Sequence, residues 1–203
     1  GLAAGMLFWV IANFFPEKAL GVYTSDPAVI LLGSRYLRIV CWAYLFFALS
    51  MVFGMSSRAV GNVKLPVAVS TSALIFNILL AYPLIFGVKQ IGIPALGVDG
   101  VAIAGLIARI LECLILLFFI YRDKLNPVAA SLKHIFEINW SFIKSVMSPV
   151  LPVIANEVLW SLGITTYNAI YGHIGTNAVA AINIISTIDQ IAFVIFLGLG
   201  NAT

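Results

Sequence analysis

Five apolar runs, at 36 to 57, 65 to 87, 98 to 121, 142 to 171 and 176 to 200, constrain this chain more than any other feature of its sequence. A helix needs about 20 residues to cross the ~30 Å hydrocarbon core of a bilayer, and each run is that long. A sixth, partial run covers residues 1 to 15. Inside hydrocarbon every backbone N–H and C=O must find a partner within the protein, which leaves only helices or a closed barrel. Barrel strands would alternate apolar and polar residues over about 10 positions, and these runs do not alternate. The fold class predicted is an all-α integral membrane protein, a polytopic helical bundle.

Composition excludes the alternatives. With 62% hydrophobic and 9% charged residues, 11 basic and 8 acidic, the chain cannot cover a soluble core with a charged shell. Its mean hydropathy of +1.09 says the same. The formal charge of +3 is scattered and forms no basic stripe, so nucleic acid is not a predicted partner. Cys41 and Cys113 each sit inside an apolar run with no Cys or His at ligand spacing, which points to packing and away from a disulfide, a metal centre or any other cofactor. The chain starts at Gly1 without a Met and stops at Thr203 straight after a spanning run. A piece of a longer polypeptide is expected, with further helices of that polypeptide as its nearest partners.

Orientation follows from the connections. Those at 58 to 64 and 122 to 141 fall on one side and hold five basic residues, Arg58, Lys64, Arg122, Lys124 and Lys133, against three on the other, Lys18, Arg35 and Lys89. Positive loops stay inside, so the first side is predicted to be cytoplasmic. The longer of its connections, "RDKLNPVAASLKHIFEINW", mixes charge with amphipathic character and reads as a cytoplasmic linker over 125 to 141. It separates an N-terminal part, 1 to 124, from a C-terminal part, 142 to 203.

Polar residues at membrane depth carry what chemistry the chain has. Glu157 lies midway along its run, and Ser161, Thr165 and Asn168 follow at spacings of four, four and three, a polar stripe on one side of a helix. A charge at mid-bilayer costs at least ~2.5 to 3.5 kcal/mol, so this carboxylate should face a cavity, hold a cation or take up a proton. Pairing with a basic residue of a neighbouring helix is the purely structural alternative. Pro149 and Pro152, near the start of that run, would free backbone carbonyls and bend the helix. Arg109 and Glu112 stand three residues apart near the middle of another span, where they could neutralise each other as an intramembrane ion pair. Asp189 is a third acid, with Asn183, Ser186 and Gln190 along its side of the helix. It could line a cavity or face Arg109. Asn77 is uncharged and fits either an interhelical hydrogen bond or a cation ligand.

In order along the chain, "SSRAVGNVKLP" (56 to 66), "FNILLAYPLIFG" (76 to 87), "PALGVDGVAIAGLIARI" (94 to 110) and "YGHIGTNAVAAINI" (171 to 184) resemble the multidrug and toxic compound extrusion (MATE) family of cation-coupled antiporters. "RAVGN" before a proline looks like the turn between the family's fourth and fifth helices, and "GVDGVAIAG" like the entry to its sixth. The resemblance makes residues 1 to 15 the end of the third helix, 142 to 171 the seventh and 176 to 200 the eighth of twelve. It implies two six-helix lobes around a central cavity that opens alternately to each side.

It also implies roles. An acid of the seventh helix, here Glu157, couples cations in some branches and is the one place where sodium is expected. In other branches the N-terminal lobe uses an Asp of the first helix, an Asn and Asp four apart in the fifth and a Thr in the sixth. Asn77 fits that pattern, but Ala81 and Gly105 occupy the Asp and Thr positions. Glu157, Asp189 and Asn77 are thus the candidate coupling residues, and Ser161, Thr165, Asn168, Asn183 and Gln190 the candidate substrate path.

The function expected is export of organic, cationic or amphipathic, small molecules from the plasma (inner) membrane in exchange for sodium or protons, by a protein that works as a monomer. A lipid-linked oligosaccharide flippase of the same superfamily would call for a more basic cavity. An intramembrane enzyme would need a nucleophile and base or metal ligands within a span, and both His134 and His173 fall outside the spans. A receptor or assembly subunit is the remaining alternative.

Overall fold

The computed structural model describes residues 2–87, 94–123, 127–129 and 140–202. They form seven helices: α1 (Leu2–Phe14), α2 (Pro16–Gly21), α3 (Pro27–Ala59), α4 (Lys64–Phe86), α5 (Val98–Arg122), α6 (Trp140–Ile174) and α7 (Thr176–Ala202). No strand occurs among the described residues. α3 to α7 each contain a stretch long and apolar enough to cross a membrane. The all-α reading from run length and hydropathy is borne out, and the chain is a multi-pass membrane protein.

The connection read at 16 to 35 differs. It holds the whole of α2 and the first nine residues of α3. Ser34, Arg35 and Arg38 end the apolar pattern there without ending the helix, because intrahelical bonding satisfies the backbone whatever the side chains are. Pro27 starts α3, where its missing N–H costs nothing.

The chain divides into two compact units, Gly1–Leu20 with Pro27–Phe142, and Gly21–Asp26 with Ile143–Thr203. Most of the linker expected over 125 to 141 lies outside the described residues.

In the first unit α5 is the hub. It packs along both α3 and α4, while α1 lies against α3. The reason is a seam at four-residue spacing, Gly100, Ala104, Ala108, Glu112, Leu116 and Ile120, every member of it buried. Its upper half is small, so backbones can approach closely where lipid offers no hydrophobic drive for association. Its lower half is large: Leu116 and Ile120 form an apolar cluster with Val69 of α4. On the far side of α3, Trp9 meets Trp42 edge-on at 5.1 Å and Phe8 meets Tyr44 at 4.8 Å. Cys41 is buried against α1, donating to the Arg38 carbonyl at 3.0 Å and accepting from the Asn13 amide at 3.2 Å. Cys113 is a buried free thiol.

The "RAVGN" motif makes the turn from α3 to α4. Gly61 takes φ +84°, a conformation open to glycine, and its N–H donates to the Arg58 carbonyl at 2.9 Å. Asn62 Oδ1 then accepts the Leu65 N–H at 3.4 Å in the first turn of α4. At the other end of α4 the chain returns by two bonds, Leu96 N–H to the Leu84 carbonyl at 3.0 Å and Gly97 N–H to the Ile85 carbonyl at 3.3 Å. They fix where α5 begins.

In the second unit α6 runs unbroken through Pro149 and Pro152. It is joined to α7 by Gly175 alone, at φ +139°. Among the described residues the two helices share no packed face. None of their described side chains is buried.

The orientation can be checked by labelling. Ser57, in the cytoplasmic turn by charge count, is 0% exposed and would hide a cysteine, so the exposed Asn62 of the same turn is the better probe. Cysteines at Asn62 and at Ala130, which lies outside the described residues, should react from the cytoplasm. Cysteines at the exposed Ser25 and Ala95 should react from outside. Labelling of all four from one face would refute the assignment. The native Cys41 and Cys113 are buried and should contribute little background.

Candidate functional site

α3, α4 and α5 together line a half-open cavity of about 480 Å³. α3 contributes Tyr36, Tyr44 and Phe47, α4 contributes Ser70 and Asn77, and α5 contributes Gly105, Arg109 and Glu112. Aromatic faces and polar groups therefore meet at the depth of three apolar helices. Small residues open this space: Ala43, Ala73 and Ala108 leave room in the wall that larger side chains would fill.

Arg109 and Glu112 come together. Nη1 of Arg109 donates to Oε2 of Glu112 at 2.6 Å, within one turn of α5. Ser70 Oγ, from α4, donates to the other carboxylate oxygen at 2.7 Å. Both Glu112 oxygens are thus occupied, and the residue is only 5% exposed. The Arg109 side chain is 45% exposed, and its guanidinium carbon lies 4.9 Å from the centre of the Phe47 ring. A carboxylate buried among apolar helices is tolerable when it is both paired and hydrogen-bonded, and here it is. The same Glu112, Ser70 and Phe47 also line a much smaller hollow, about 40 Å³, on the side of Arg58. They form a polar partition between the two spaces.

Sequence reasoning did not single out Ser70 or Phe47. Ser70 had a signal, a hydroxyl inside the apolar run "VAVSTSAL". Its neighbour Ser72 has the same signal but donates back to the Ala68 carbonyl of its own helix at 2.8 Å. Nothing along the chain distinguishes the two.

Asn77 is half-buried on the cavity wall, and its Nδ2 lies 3.9 Å from where a Cβ on Gly105 would sit. A side chain at 105 would touch it directly. In this chain that space is left open. Ala81, one turn further along α4, brings no carboxylate.

Glu157, Asp189 and the polar stripes belong to the second unit. Glu157 and Ser161 are exposed along an open face of α6 beside Val153, Ile154 and Trp160. Thr165 is half-buried and Asn168 exposed on the same helix. On α7, Asp189, Asn183 and Gln190 are exposed, and the Asn183 carbonyl accepts from Thr187 Oγ1 at 2.8 Å. Within this unit no described basic side chain pairs with Glu157 or Asp189.

Residues 1–83 match the MatE family model. Over its full length the chain is 26% identical to the probable multidrug resistance protein NorM of Agrobacterium fabrum, covering 44% of that protein. Along its whole length the chain is therefore similar to proteins of the MATE family. It is also 29% identical to the NorM of Bradyrhizobium diazoefficiens, over 93% of this chain and 40% of that one. The multidrug export protein MepA of Staphylococcus aureus is 23% identical over 98% of this chain and 42% of its own length. The chain thus spans less than half the length of the curated MATE relatives it matches. No solved structure matches it. The resemblance read from "RAVGN" and "GVDGVAIAG" is borne out.

Proposed function

We propose that this chain is part of a cation-coupled antiporter of the plasma (inner) membrane, exporting organic, cationic or amphipathic, small molecules by alternating access in exchange for inward sodium or protons. The observation that carries the reading is the cavity among α3, α4 and α5. Polar groups at membrane depth are costly unless they face one another or an aqueous cavity, and here Ser70, Asn77, Arg109 and Glu112 do so beside aromatic faces. Relatives named for multidrug resistance and export support the same direction.

In this reading Glu157 is the first coupling residue, with Asp189 and Asn77 as secondary candidates. Ser161, Thr165, Asn168, Asn183 and Gln190 lie along the substrate path. Cation occupancy or protonation of Glu157 favours one arrangement of the lobes and substrate the other, each acting through its different affinity for the two states. No covalent step is needed, so the protein is not an enzyme. It needs no cofactor besides the coupling ion and works as a monomer. Among the described residues that line the cavity Arg109 is the sole basic one, and Glu112 offsets it. That is little for a flippase handling pyrophosphate-linked sugars.

The test is efflux of a cationic dye from vesicles holding the complete protein. An imposed sodium or proton gradient should drive export several-fold above protein-free vesicles, and a matching ionophore should collapse it. Export that ignores both gradients would end the coupling claim. No export under any gradient would end the transport reading.

A further inference from the structure

We propose that the cavity of the first unit is a subsite for organic compounds bearing a carboxylate, and that Arg109 is the residue that recognises the anion. This deepens the transport reading by narrowing the amphipathic cargo, and only the word cargo rests on it.

Of the two opposite charges that line this cavity, the one more open to a ligand is positive. Glu112, although acidic, is hydrogen-bonded by Ser70 at one oxygen and by Arg109 at the other, and at 5% exposed it offers an organic cation little surface to approach. Arg109 is the opposite case. One of its N–H groups goes to Glu112, and among the described residues its other donors meet no acceptor, while nearly half its side chain is exposed and it lines the cavity. A guanidinium offers parallel donors that match the two oxygens of a carboxylate, which the compact ammonium of lysine does not.

The group is also held in place before any ligand arrives. Glu112 fixes one end and the Phe47 face supports the plane at 4.9 Å, so little further side-chain freedom is lost on binding. Although Arg109 and Glu112 are neutral as a pair and both line the cavity, the guanidinium is far the more exposed, so an anion can approach it more closely than it can the carboxylate. At short range and low dielectric the nearer charge dominates. Tyr36, Tyr44 and Phe47 offer faces for an aromatic body, and about 480 Å³ is the size of a small-molecule site.

The test uses the complete protein in lipid nanodiscs and two matched dyes, rhodamine B, which carries a free carboxylate, and its ethyl ester, which does not. Fluorescence titration should show rhodamine B bound at least about ten-fold more tightly than the ester, as expected for a charge-assisted pair. Arg109→Lys should reduce that ratio several-fold. The double variant Arg109→Gln with Glu112→Gln, which keeps the pair neutral, should bring it to about one. Failure of the wild type to bind rhodamine B, absence of a preference, or equal loss of both dyes in the folded Arg109→Lys variant would each overturn the proposal. Transport is scored separately. A protein that binds with this preference but moves neither dye removes the antiporter reading and keeps the subsite, whereas export of the ester with no carboxylate preference does the reverse.

Discussion

In the complete protein, Glu157→Gln is expected to leave the transporter inserted at close to wild-type abundance and to abolish cation-driven efflux. Glu157 lies on an open face of α6, and within its unit no described basic side chain pairs with it. A glutamine of the same shape removes the charge and keeps the packing, so insertion should become easier. What the amide cannot do is exchange a proton or supply a full negative charge to sodium. Efflux per inserted molecule should therefore fall at least ten-fold, to near the protein-free background, at every pH and sodium concentration. The structural alternative gives the opposite pattern. If a helix elsewhere in the polypeptide brings a basic partner to Glu157, the substitution leaves that partner uncompensated, a change worth ~3 to 5 kcal/mol when such a pair is buried, and the protein is lost from the membrane. Measuring abundance and efflux together separates the two. Wild-type efflux per molecule, with unchanged ion dependence, would falsify the coupling role.

Gly100→Leu is expected to remove most of the folded protein, and to do so more severely than Leu116→Ala. A Cβ at Gly100 would sit 2.5 Å from the Leu84 carbonyl oxygen and 2.7 Å from its carbon, both backbone atoms of α4. Backbone cannot swing aside as a side chain can, so even Gly100→Ala must push α4 and α5 apart. The Leu84 carbonyl is also the acceptor for the Leu96 N–H, so the displacement disturbs the bond that brings the chain into α5. Leucine adds three more carbons to that conflict. Leu116→Ala instead leaves a void beside Val69 and Ile120. In water such a truncation costs ~2 to 5 kcal/mol, and in lipid, without a hydrophobic drive between helices, less of that is felt. Monodisperse protein recovered in mild detergent should fall in the order wild type, Leu116→Ala, Gly100→Ala, Gly100→Leu. Equal recovery of Leu116→Ala and Gly100→Leu would show that the close approach of the two helices is dispensable.

The sequence by itself determined the membrane class and the five spans, because crossing hydrocarbon demands a local property, some 20 residues of apolar helix, that any window of sequence displays. The short turn at Gly61 was legible through the likeness of "RAVGN" to a MATE-family turn, and its parts are local, a left-handed glycine and the Asn62 amide next to it. The start of α3 was not, because Ser34 and Arg35 interrupt the apolar pattern while the backbone, which must keep its hydrogen bonds, continues to Pro27. Arg109 and Glu112 could be paired by counting three residues along a helix. That Ser70 completes the carboxylate's hydrogen bonds across 42 positions of sequence, that Phe47 underlies the guanidinium, and that Ser57 is sealed from solvent, only the tertiary structure decided. Periodicity reports which face of a helix is apolar. Which two faces meet depends on where small residues such as Gly100 and Ala104 let helices approach, and that is settled by all the helices packing at once.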